Sequence, residues 1–168
     1  MDLSSIMDEW SAGNDLEGIR GRHSSFLFNR ILDGDSYPIL YRYIDSKELQ
    51  VRGKDKIDPL YRRDVGDTIT YGLISTTTSN PQRAYDTWFD YNTTVIIFKD
   101  AKGIDVNALG GQRFSWEKEI LSCGLFRIED IKEKSFRKIG PYLQYTLKYI
   151  DDEDRQIKAL QNLLKNMH

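Results

Sequence analysis

With 168 residues, of which 39% are apolar and 30% charged, the chain has the size and make-up of one globular domain, able to bury roughly 70% of its unfolded surface. A net charge of −2 supplies no global basic field to draw it to nucleic acid or to an anionic membrane. The single cysteine, Cys123, excludes an intrachain disulfide, and the two histidines, His23 and His168, give no close-spaced ligand pair for zinc.

In chain order, Met1–Ser5 lacks the basic stretch and apolar core of a signal peptide. Spaced apolar residues predict helix over 4–11 and 16–32, the second carrying Ile19, Phe26, Leu27, Ile31 and Leu32 and ending at Asp33-Gly34-Asp35. Pro38 opens a short strand, Ile39–Ile44, and an irregular charged stretch runs to about Gly66. The β-branched run Ile69–Thr78 and then Thr93–Phe98 read as strands, with a short helix over 81–89 between them. Further strands are expected at Ile104–Val106, Trp116–Ser122, Leu125–Ile131 and Tyr142–Ile150, separated by turns at Gly110-Gly111, Gly124 and Gly140-Pro141. A closing helix, about 152–167, has acids at its start, Lys165 and His168 at its end, and Ile157, Leu160, Leu164 and Met167 at steps of three and four. Helices first and strands after make the class α+β. The apolar runs, such as Val95–Phe98, fall far short of the roughly 18–20 residues of a membrane span.

No phosphate-binding glycine loop is present, and His23 has no nucleophile motif beside it for a catalytic triad. Catalysis would therefore rest on carboxylates, arginines and hydroxyls. Arg42 stands inside an apolar strand, and its rigid five-donor fork suits a phosphate; the plain alternative is a salt-bridged edge arginine. Ser75-Thr76-Thr77-Thr78 ends a strand, where hydroxyls can orient neighbouring polar groups, although β-propensity alone also enriches threonine. In Glu117-Lys118-Glu119, strand alternation would put both carboxylates on one face, where each raises the proton affinity of the other; exposed strands carry such pairs too.

Together and in this order, these elements resemble the Arg–Ser–Glu-x-Glu signature of mono-ADP-ribosyltransferases, the class of the clostridial and cholera-type toxins and the phage-encoded transferases. The resemblance spans about Ser25–Ile150: Leu40-Tyr41-Arg42, then Gly72-Leu73-Ile74-Ser75-Thr76-Thr77, then Glu117-Lys118-Glu119-Ile120-Leu121, followed by Gly124-Leu125-Phe126-Arg127-Ile128. It implies one catalytic domain over 1–168, core about 25–150, with N-terminal helices packed on a split β-sandwich, an NAD cleft and a C-terminal helix. NAD is the implied co-substrate, with no metal. Arg42 would hold its diphosphate, Tyr43 and Thr76 would line its site, and Arg83 would add a phosphate contact. Ser75 would orient Glu119, which would stabilise the oxocarbenium-like ribose, while Glu117 would handle the acceptor. Phe114 or Trp116, in the loop Gly110–Trp116, would recognise that acceptor. Glutamate at 117 implies arginine modification.

The sequence departs from the pattern in three places. Thr77 stands where serine is commoner, Tyr43 where a small residue is usual, and Arg83 nearer the hydroxyl motif than the usual contact. The implied partner is a target protein or, on the alternative reading, RNA or DNA, with room for a neutralising partner. The expected form is a monomer, off the membrane, in the cytoplasm or delivered into that of a target cell. Two other classes remain: an NAD glycohydrolase, and a non-catalytic interaction module using the last helix. A glycosidase fits less well, because its carboxylates flank the bond from separate elements.

Overall fold

The computed structural model describes residues 16–45, 58–78, 93–106, 108, 118–136 and 140–166. They form helix α1 (Leu16–Leu32), strands β1 (Asp35–Asp45), β2 (Thr68–Thr77), β3 (Thr93–Asp105), β4 (Glu119–Phe136) and β5 (Gly140–Tyr149), and helix α2 (Glu153–Lys165). The class is α+β with a C-terminal helix, as the sequence predicts. The helices expected over 4–11 and 81–89 lie outside the described residues.

The strands make one mixed sheet in the order β1-β2-β4-β3-β5, with further pairings of β1 to β3 and β4 to β5. Its two long strands change partners along their length. β3 and β4 pair directly over Gly103–Asp105 and Ile120–Ser122. Farther along, β5 enters between them, parallel to β3 at Val95–Lys99 and antiparallel to β4 at Phe126–Phe136. β1 follows β3 over most of its length but meets β2 at one pair, Tyr41 opposite Thr77. The β4–β5 and β3–β4 pairs thus join β1-β3-β5 to β2-β4, and the sheet is split only between β1 and β2, which share one pair.

Two apolar cores hold this shape. The first, to which all five strands contribute, holds Leu40, Ile44, Ile96, Phe98, Ile120, Phe126, Ile128 and Leu147, all buried. Phe98 and Phe126 meet edge to face at 5.0 Å, the quadrupole-favoured geometry. The second core lies between the helices and the sheet: Leu27, Phe28 and Ile31 of α1 and Leu160 of α2 cover Leu73, Ile104, Leu121 and Cys123. Buried Ser24, Leu27, Phe28 and Ile31 recur at steps of three and four, the stripe that seats a helix on a sheet. α2 starts at Asp152, whose side chain accepts from Arg155 N at 3.2 Å, and Glu153 and Asp154 complement the dipole there.

Two breaks expected in the strands are absent. Ile104–Val106 is not a separate strand: β3 runs unbroken through Gly103, where a side chain would run into Ile120 and come within 3.1 Å of Leu121 O. Gly103 is there for the close approach of β4. Gly124, read as a turn, lies inside β4 with φ 137°, where a Cβ would lie 2.9 Å from Gln156 Oε1. β1 also starts earlier than Ile39, carrying Pro38 within it. On α2, Ile157 is exposed, and the buried positions belong to Gln156 and Leu160.

Candidate active site

The open end of the split is a cleft lined by Tyr41, Arg42 and Tyr43 of β1, Ser75, Thr76 and Thr77 of β2, and Glu119 of β4, with about 480 Å³ of empty volume, part of it open to solvent. Each side chain reaches it for a local reason. On β1, Leu40, Arg42 and Ile44 share one face by alternation, and Leu40 and Ile44 are buried in the first core. Arg42 is carried inward beside them and turns to the neighbouring strand, where Nη1 donates to Ser75 O at 3.0 Å. That bond spans the split and fixes the plane of the guanidinium. Tyr41 and Tyr43 lie on the other face, their rings stacked with centroids 6.3 Å apart and planes within 6°. Burial, then the neighbouring Tyr41 and Tyr142, push the Tyr43 hydroxyl far above the ordinary tyrosine range, so it stays protonated.

Ser75 and Glu119 come from adjacent strands. Thr77 pairs with Glu119 and Ser75 with Leu121, so Ser75 and Glu119 are diagonal neighbours on one face. Ser75 Oγ donates to Glu119 Oε2 at 2.5 Å. A short bond from a hydroxyl to a carboxylate is charge-assisted and sets which way the carboxylate points. Glu119 is half-buried at the cleft wall. The hydroxyl of Thr76 turns into the sheet instead and donates to Ile120 O at 2.7 Å; the residue is 3% exposed.

Arg42, Tyr43, Ser75, Thr76 and Glu119 are therefore brought to one cleft. Tyr41 and Thr77 line it as well and were not singled out as site residues. The i, i+2 relation of Tyr41 to Tyr43, and the pairing position of Thr77 at the strand end, are the signals that could have found them. Glu117, Arg83, Phe114 and Trp116 lie outside the described residues. The strand expected to begin at Trp116 begins at Glu119, and Lys118 before it has φ 51°. Strand pleating thus cannot be what puts Glu117 beside Glu119, because it needs extended backbone at the residue between them.

No protein-family model matches the chain, and no curated protein matches it in sequence. Among solved structures it is similar to Plx2a, an ADP-ribosyltransferase toxin from Paenibacillus larvae, at a TM-score of 0.51 and 14% identity over 89% of this chain and 81% of that one. The ADP-ribosyltransferase Vis in complex with the M6 inhibitor matches at 0.49, with 15% identity over 92% of this chain and 71% of that one. Exoenzyme S from Pseudomonas aeruginosa, in complex with human 14-3-3 protein beta and bound to carba-NAD, matches at 0.48, with 16% identity over 86% and 65%. The chain has the ADP-ribosyltransferase fold.

Proposed function

We propose that the protein is a mono-ADP-ribosyltransferase that cleaves the nicotinamide–ribose bond of NAD and transfers ADP-ribose to an arginine of a target protein. The observation that carries this reading is the Ser75–Glu119 hydrogen bond, 2.5 Å, in the same cleft as Arg42. A fold shared with an ADP-ribosyltransferase toxin supports the class. In this reading the Arg42 fork binds the diphosphate of NAD as a charge-assisted, geometrically fixed pair. Backbone of Tyr43 and Thr76 lines the nicotinamide side, and Arg83 adds a phosphate contact.

As the C–N bond breaks, its electron pair leaves with nicotinamide and positive charge develops on the ribose carbon. The Glu119 carboxylate, aimed by Ser75, stabilises that charge and binds the ribose 2′-hydroxyl more strongly in the transition state than before it. A guanidinium nitrogen of the acceptor then forms the new bond to carbon and loses a proton. Glu117 takes it, since a protonated guanidinium is otherwise a poor nucleophile. Phe114 and Trp116 contact the acceptor.

The test is incubation with labelled NAD and a cell lysate, beside Glu119→Gln, with protease, nuclease and hydroxylamine treatment of the products. Protease-sensitive label that hydroxylamine removes, absent with the variant, is the expected result. Nuclease-sensitive label would keep the chemistry and move the acceptor to nucleic acid. Free nicotinamide without transfer would make the protein a glycohydrolase. No nicotinamide release from folded protein would end the enzyme reading.

A further inference from the structure

Ser75 and Glu119 meet because β2 holds one residue more than its partner requires. Thr70 and Tyr71 pair with Leu125 and Gly124, whereas Ile74, Ser75 and Thr77 pair with Ser122, Leu121 and Glu119. Between Tyr71 and Ile74 the register therefore shifts by one residue, a β-bulge at Gly72-Leu73. Side chains alternate along a strand, so a one-residue shift turns over everything that follows. In the unshifted register Ser75 would stand opposite Ile120, whose side chain enters the core built by all five strands, and it would face away from Glu119.

Helix α2 touches both strands at that bulge. On the β2 side, a Cβ on Gly72 would lie 3.1 Å from Leu163 Cδ2. On the β4 side the contact is polar and fully buried. Gln156, 0% exposed, accepts from Leu125 N through Oε1 at 2.7 Å. Its Nε2 donates to Leu125 O at 2.9 Å and to Ile150 O at 2.8 Å. A primary amide presents a donor and an acceptor in one plane, as a peptide does. Gln156 thus pairs with Leu125 as a further strand would, just past the last β4–β5 pair of Phe126 and Tyr149. A buried glutamine in a helix otherwise seated by leucines is costly unless every group is satisfied, and here both are.

We propose that Gln156 is a positioning residue for the cleft. By holding Gly124-Leu125 of β4 while Leu163 backs Gly72 of β2, the C-terminal helix fixes the bulge and with it the facing of Ser75 toward Glu119. The inference rests on the transferase reading for its kinetic consequence and on the register alone for its structural one.

The experiment compares NAD cleavage by the full chain with Gln156→Ala, Gln156→Met and Leu160→Ala. Leu160 is equally buried one turn along the same helix and packs in the helix–sheet core, so it reports loss of stability alone. All three variants are expected to melt at lower temperature. Below that temperature, both Gln156 variants lower kcat about tenfold with KM for NAD changed less than about twofold, because the diphosphate grip stays while the carboxylate is mis-aimed. Leu160→Ala keeps both constants. Equal kcat losses in Leu160→Ala, or full kcat in Gln156→Met, would overturn the proposal. Should the unaltered protein cleave no NAD, the transferase reading fails by itself and amide hydrogen exchange decides this one. In Gln156→Ala the amides of 74–77 and 119–121 exchange faster while those of α1 hold; unchanged exchange at the former overturns it.

Discussion

The two ends of β4 are one strand under opposite conditions. At its start, Ile120, Leu121, Ser122 and Cys123 are all buried, with β2 on one side and β3 on the other. Ile120 enters the core built by all five strands, while Leu121 and Cys123 enter the core beneath the helices. At its far end, Lys132, Glu133, Lys134 and Ser135 are exposed and pair with β5. Alternating charges there protect an edge from pairing with other chains. Glu119, the carboxylate proposed to act on NAD, stands at the buried end. A carboxylate that must point to within a fraction of an ångström needs a backbone held from both sides and both faces, as the first residues of β4 are and its last residues are not.

From that contrast, the effects of substitution are expected to fall steeply along the strand. The largest is expected at Glu119→Gln, which keeps shape and removes charge. Loss of one group aimed at developing transition-state charge costs about 10²–10³ in kcat, with the melting temperature nearly unchanged because Ser75 can still bond the amide oxygen. Steady-state NAD cleavage and a thermal melt on the same sample measure both. A large fall in melting temperature would mean that Glu119 serves the fold. Next comes Gly124→Ala, at φ 137° against Gln156 and Tyr149. Backbone strain of that kind costs about 1–3 kcal/mol, to be read as a lower urea midpoint.

Buried acids on β4 and its neighbour β5 set an alkaline limit. Burial pushes the Cys123 thiol well above its ordinary 9.0. Burial, then the neighbouring Cys123, Asp151 and Glu153, push the Tyr149 hydroxyl from 10.0 to about 12. Below the ordinary values both groups are protonated folded and unfolded, so their contribution to stability is intact. Above them the unfolded chain ionises while the fold still holds its protons, and stability is lost as pH rises toward the folded values. The urea midpoint should fall from about pH 9 upward, and Tyr149→Phe should flatten the part of the fall between about 10 and 12. An unchanged slope in that variant would mean that the ring is wetter than its position implies.

Much of the cleft was legible because its residues break local patterns. A guanidinium between Leu40 and Ile44, a run of hydroxyls ending a β-branched strand and an acid ahead of Ile120-Leu121 are each out of place in a core. Their order along the chain carried the rest. What could not be read was approach. Gly124 looks like a turn to a local rule and Gly103 carries no local signal, yet each marks where another element comes too close for a side chain. In the same way a helical period chose Ile157 for the buried face, whereas the buried site is taken by Gln156, whose value lies in the carbonyls and amide of β4 and β5 that it meets. Periodicity reports one element's own pattern; register, bulges and polar clamps belong to pairs of elements.

The smallest effect is expected at the exposed end of β4. Lys132 forms a 3.2 Å ion pair with Asp130, but their side chains are 58% and 39% exposed. Water and salt screen such a pair, and ordering two flexible side chains offsets most of the attraction, so Lys132→Ala should change stability by no more than about 0.5 kcal/mol. NAD cleavage should be unaffected, since Gln156 bonds Leu125 on the strand between Asp130 and Glu119 and anchors it there. A drop in kcat for Lys132→Ala without a change in the urea midpoint would show that the strand moves as one body, and the contrast between its ends would be one of solvent exposure and not of rigidity.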